Sequence, residues 1–130
     1  MSIELNHIII PASSKWASAT FLASILDLSA GPQRELSVPV KVSNGVTLGY
    51  VDAERFGPHH WAFLASEAEF DAAYARIRST GITYYAGPHH QRPGEINHLR
   101  RGRRIYFDDP DGHQIEIITR PVTAKTPPGR

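Results

Sequence analysis

Apolar and polar positions alternate along residues 3–10, IELNHIII, which predicts a strand that ends at Pro11. Side chains on a strand alternate between faces, so Ile3, Leu5, His7 and Ile9 share one side. Ser13 or Ser14 can cap a helix running to about Leu26, with an apolar side built from Trp16, Ala19, Phe21, Ala23, Ile25 and Leu26. Gly31-Pro32 interrupts the chain. Val38–Val42 then reads as a strand that Pro39 confines to an edge or a bulge. Asn44-Gly45 marks a hairpin turn, and Val46–Val51 is the returning strand.

After a polar connection over Asp52–Pro58 the same order begins again. Residues 60–65, HWAFLA, read as a strand. Ser66 and Glu69 form a capping-box signature ahead of a helix that presents Phe70, Ala73, Tyr74 and Ile77 at helical spacing, and Gly81 stops it. Ile82–Ala86 is a further strand, and Gly87–Arg104 reads as a long loop. Residues 106–119, YFDDPDGHQIEIIT, read as strand, tight turn, strand, because Asp109-Pro110-Asp111-Gly112 carries the residues a turn demands. Residues 122–130 read as a flexible tail.

Shifting the second half back by 53 positions sets His60 on His7, Ser66 on Ser13 and Tyr74 on Phe21. The match is one of pattern more than of identity. It predicts an α+β fold of two βαβββ modules, about 1–52 and 58–121, within one domain over 1–121. Their strands would form a curved mixed sheet around a cleft, with the helices outside.

Composition narrows the function without naming it. A chain of 130 residues with 41% apolar and 21% charged residues is globular and long enough to bury a core. A formal charge of +1 gives no general attraction to nucleic acid or membranes. There is no cysteine, so any metal must take His, carboxylate or water. No apolar run approaches the roughly 20 residues of a membrane helix, and no secretion signal is evident, so a cytoplasmic protein is expected.

Glu116 is the anomaly. It alternates with Ile115 and Ile117 inside an apolar strand, where a carboxylate without a partner is costly. His7 and His60 occupy comparable places early in the first strand of each module. Two imidazoles and one carboxylate make a facial triad for a divalent ion, which would supply the charge that Glu116 needs. Each histidine taken singly is more ordinary as a satisfied core residue; the repeat-related placement is what groups them. His59 rivals His60, and the repeat selects His60.

These residues resemble the vicinal oxygen chelate superfamily, the glyoxalase/bleomycin resistance/extradiol dioxygenase group. The resemblance rests on NHIII at 6–10, HHWAFLASEAEFDAAYARI at 59–77 and YFDDPDGHQIEIITRP at 106–121. It implies paired βαβββ modules and one divalent metal ion (Fe, Mn, Zn or Ni) held by His7, His60 and Glu116. It also implies a small oxygen-chelating substrate and a homodimer, in some members with each site built from both chains. Glyoxalase I-type members add a fourth ligand, a Glu in the last strand of the first module. Here the matching positions are Thr47 or Gly49, which favours a three-ligand site of the dioxygenase or fosfomycin-resistance thiol-transferase kind. Tyr106, ten residues before Glu116, resembles the cleft tyrosine of extradiol dioxygenases, and His98 is a candidate acid or base. Packing within a strand and an exposed loop are the plainer roles for these two. The alternative function is a bleomycin-resistance-like binding protein that sequesters a ligand without catalysis.

Arg100, Arg101, Arg103 and Arg104 form either a solvated hairpin entry or a rim that draws an anionic substrate. They lack the interleaved aromatics of a nucleic-acid surface. His89 and His90 lie beside Gly87-Pro88, where they read as loop or lid, and Asn97 is a weak candidate for the cleft lining.

Overall fold

The computed structural model describes residues 3–98 and 101–121. The chain divides into two compact units. One takes in the chain through His59 together with Asp108–His113; the other takes in His60–Phe107 and the chain from Gln114 onward. Hydrogen bonding separates the strands into two sheets with two helices, an α+β arrangement.

In the first unit, β1 (His7–Ala12), α1 (Lys15–Leu26), β2 (Val38–Lys41) and β3 (Thr47–Asp52) follow in order. β1 is shorter at its start than the alternation of 3–10 predicts. Its registered partner among the described residues is β3, which it meets in parallel from His7↔Thr47 to Ala12↔Asp52. Periodicity reports which side chains could share a face, not where a partner strand begins. Pro11 is tolerated inside β1 and Pro39 inside β2 because both strands lie at the edges of the order β1-β3-β2. The hairpin between β2 and β3 turns at Asn44-Gly45, with Gly45 at φ 88°. A further strand of this module is reduced to an isolated bridge between Ala30 and Val40.

Ser14 is the N-cap of α1 and accepts a hydrogen bond from the Ala17 N–H. The helix buries Ser18, Ala19, Leu22, Ala23 and Ile25, whereas Trp16 stays largely exposed. Ile10, Ala12, Val38, Val40, Leu48 and Tyr50 complete this core. Ser18 is tolerated there because its hydroxyl donates to Asp111 Oδ2 at 3.0 Å.

Asp111 belongs to this unit through the 108–113 turn. It also accepts from the Ser13 N–H at 3.1 Å and, through a short bond, from the Ser13 hydroxyl. Desolvation works to raise its pKa, but the hydrogen bonds from Ser13 and Ser18 prevail and hold the carboxyl below its ordinary value. His113, in the same turn, is fully buried. Its Nδ1 accepts from the His59 N–H at 2.8 Å, and its Nε2 donates to the Pro11 carbonyl at 2.8 Å. These bonds fix the Nε2–H tautomer of a neutral ring.

The second unit contains β4 (His60–Leu64), α2 (Glu67–Thr80), β5 (Tyr84–Gly87), β6 (Gln91–Pro93), β7 (Arg104–Asp108) and β8 (Gln114–Ile118). Its sheet has the order β4-β8-β7-β5-β6. The capping box closes as expected. Glu69 N–H donates to Ser66 Oγ, and Ser66 N–H donates to Glu69 Oε1. Gly81 caps the other end of α2 in the left-handed region. Phe70, Ala73 and Ile77 of α2 are buried, as are Ile105, Phe107, Ile115 and Ile117 of the sheet.

β6 falls inside the stretch read as loop from sequence. It pairs with β5 through Tyr85↔Pro93 and Gly87↔Gln91. Its residues are all exposed, so no burial pattern marks it as a strand. Residues 122–130, expected to be a tail, lie outside the described residues, as does Arg100.

Candidate functional site

The carboxylate anomaly resolves in the second sheet. β4 and β8 run parallel with His60 opposite Gln114 and Ala62 opposite Glu116. Residues two apart on a strand share a face, so His60, Gln114 and Glu116 project from the same side. His60 Nε2 lies 3.0 Å from Glu116 Oε1. The Glu116 side chain is buried, while that of His60 remains 47% exposed, so the pair is reachable from solvent on the histidine side.

Glu116 has a second partner. Arg104, at the start of the adjacent β7, places Nε 2.9 Å from Glu116 Oε2. One carboxylate oxygen therefore faces an imidazole and the other a guanidinium. The arginine backbone is itself fixed, since Arg104 N–H donates to the Asn97 carbonyl and Asn97 N–H donates to the Arg104 carbonyl, each at 2.9 Å. The sequence reading leaves Arg104 among four arginines of a solvated hairpin entry or a rim and misses this pairing. The signal that could have found it was the hairpin itself, whose register sets Arg103 against Thr119 and so brings Arg104 diagonally across from Glu116.

Tyr106 is buried in the same sheet, and its ring stacks on that of His60 with centroids 6.1 Å apart and planes 26° from parallel. Burial raises its phenol pKa above the ordinary value, the charge and hydrogen bond of Glu116 add to the effect, and Arg104 opposes it. The phenol is therefore a proton-bearing donor throughout the neutral range. Gln114 also contributes to this face, and its Oε1 is buried without a hydrogen-bond partner among the described residues.

The remaining candidates separate. His7 belongs to the first unit, at the exposed start of β1, with Nδ1 2.8 Å from Asn6 Oδ1. Among the described residues of one chain, no three His, Cys, Asp or Glu side chains converge as a metal would require. His98 is exposed beyond the Asn97–Arg104 bridge. His59 uses its backbone N–H to hold His113, and its ring tilts against that of His113 at 5.2 Å. His90 stacks on Tyr85 at 4.6 Å, and the Asn97 amide donates to the Ala86 carbonyl.

The arginines divide rather than forming one rim. Arg103 pairs with Glu67 and Asp71, each at 2.8 Å, and lies 4.3 Å over the Phe70 ring. Arg104 is committed to Glu116, and Arg101 is exposed.

Comparison with known proteins identifies the family and the fold. The family model described as the glyoxalase/bleomycin resistance protein/dioxygenase superfamily matches residues 4–117. The solved structure of an oxidase, ChaP-H2, superposes with a TM-score of 0.90 at 52% identity, covering 93% of this chain and 96% of that one. Glutathione transferase FosA of Serratia marcescens is 27% identical over 129 residues, 94% of this chain and 84% of that protein. Metallothiol transferase FosB of Shouchella clausii is 38% identical over 60 residues, which is 46% of this chain and 37% of that protein.

Proposed function

The chain belongs to the glyoxalase/bleomycin resistance protein/dioxygenase superfamily, and on that premise we propose that it is a metal-dependent enzyme acting on a small substrate that chelates through oxygen. His7, His60 and Glu116 are the proposed ligands, and oxidative chemistry is favoured over thiol transfer. The observation that carries this reading is the 3.0 Å separation of His60 Nε2 and Glu116 Oε1 on one sheet face. Two donors bound side by side to one ion at bond lengths of about 2.1 Å stand about 3 Å apart, so the donor set fits a divalent ion. Similarity to an oxidase at 52% identity, against 27% for a glutathione transferase, supports the order of the two chemistries.

The third ligand supports a homodimer. His7 shares the outward face of β1 with Ile9, and Ile3 and Leu5 precede it; these three apolar side chains are at least half exposed. A second copy covering that face would remove them from water and could carry His7 to the His60 and Glu116 of its partner.

The bound ion supplies Lewis acidity and open positions for substrate oxygens. The chain supplies the rest. Tyr106 keeps its proton on Oη and donates a hydrogen bond to negative charge developing on a substrate oxygen. Its ring, stacked on His60, limits the rotation of that imidazole. His98, the other catalytic candidate, would need its loop to turn toward the sheet to act as an acid or base.

Satisfaction of Glu116 by His60 and Arg104, with Tyr106 beside it, favours a second reading, a protein that sequesters a ligand without metal or catalysis. Metal analysis of protein purified without chelator or nickel affinity separates the two. A stoichiometric ion that is lost in His60→Ala and Glu116→Ala supports the enzyme. Metal-free protein that still binds an aromatic or cationic drug supports sequestration.

A further inference from the structure

We infer that Arg104 is a positioning residue that limits Glu116 to one metal-binding oxygen and so keeps a coordination position open for substrate. The inference rests on the proposed His60–Glu116 metal site. A carboxylate can give an ion one oxygen or both. In this chain Oε2 is held by the Arg104 guanidinium at 2.9 Å, a charge-assisted bond of the strong kind, whereas Oε1 faces His60. For Glu116 to chelate with both oxygens, the ion would have to displace Arg104 from a side chain only 8% exposed.

Displacement is opposed a second time by the backbone. Arg104 is pinned through reciprocal hydrogen bonds with Asn97, and Asn97 is anchored in turn to the Ala86 carbonyl. The guanidinium thus starts from a fixed point one strand away from the carboxylate. With two imidazoles and a one-oxygen carboxylate, a six-coordinate ion retains three positions; a two-oxygen carboxylate leaves two. The difference matters most for a substrate that itself binds through two oxygens and shares the ion with a further small molecule.

The test uses metal-stripped full-length protein titrated with Co²⁺, followed by visible absorption, for wild type, Arg104→Met and Arg104→Lys. Acetohydroxamate, a chelator with two oxygens, probes the open positions. Arg104→Met is expected to bind Co²⁺ with a visible spectrum shifted from that of wild type, because a second carboxylate oxygen takes a solvent position, and to bind acetohydroxamate about tenfold more weakly. Arg104→Lys, which can still donate to Oε2, is expected to restore both readouts toward wild type. Circular dichroism of the metal-free variants checks that the fold is kept; if Arg104→Met does not fold, Arg104→Gln replaces it. An Arg104→Met spectrum and acetohydroxamate affinity matching wild type would overturn the role of Arg104 while leaving the metal site standing. Wild type that takes up no Co²⁺, or uptake that survives in both His60→Ala and Glu116→Ala, would overturn the site and this inference together.

Discussion

His113 Nε2 donates to the Pro11 carbonyl at 2.8 Å, across 102 positions of sequence, so the turn that ends one hairpin also secures the end of β1. The same ring accepts the His59 N–H and stacks on Phe56 at 5.4 Å. Replacing it with Phe keeps an aromatic ring, somewhat larger, in the same place but leaves the part-buried Pro11 carbonyl and the His59 N–H without these bonds. His113→Phe is expected to lose about 2–4 kcal/mol of stability, measured by equilibrium urea unfolding.

Asp111 makes stability depend on acid. Its folded pKa is held below the ordinary 3.8, so the unfolded chain takes up the proton first as pH falls. The stabilisation is therefore present above about that value and fades as pH drops through the folded pKa. Asp111→Asn is expected to cost about 1–2 kcal/mol at pH 7, and the gap to wild type should close below pH 3.8. Thermal melts of both proteins from pH 7 to pH 2.5 would check this. A constant gap across that range would contradict the assignment.

The proposed metal site should show itself on one nitrogen. Adding Zn²⁺ to labelled protein is expected to move the ¹⁵N resonance of His60 Nε2 strongly, while His113, whose ring nitrogens are both engaged internally, stays in place. Two-dimensional ¹H–¹⁵N spectra of the imidazole region provide the measurement. Zinc-dependent movement of every histidine would indicate adventitious surface binding.

The exposed face of β1 predicts an assembly. Ile9→Glu places a charge among Ile3, Leu5 and His7, and light scattering after size exclusion is expected to report a dimer for wild type and a monomer for the variant. If His7 crosses to the partner, metal affinity should fall with the dimer, by at least about tenfold on loss of one ligand in three. A dimer that survives the substitution would place the contact on another surface.

Local chemistry made much of the fold legible. Ser66 with Glu69, Asn44-Gly45 and Asp109–Gly112 each announce a cap or a turn by residue type alone, and all three occur where sequence puts them. What pattern could not supply was pairing. Ile3–Asn6 alternate like a strand but lie before the point where β3 begins, and Gln91–Pro93 form a strand because β5 lies beside them, not because they alternate. The same limit applies at the site. The need of Glu116 for a positive partner was legible from Ile115 and Ile117, and a metal was the expected answer. The structure supplies Arg104, a cross-strand neighbour that follows from the register of the hairpin and not from the spacing of apolar positions.

Asp108–His113 sit among the residues of the first unit although the strands on either side of them belong to the second. A chain severed between His59 and His60 would leave its leading fragment with Ser13 and Ser18 facing no carboxylate and with Pro11 lacking its imidazole. The leading half therefore depends on residues that the chain reaches only within its trailing half. The leading fragment should not persist as a freestanding protein, and circular permutation through the 109–112 turn should be tolerated far worse than a new terminus at Asn44-Gly45.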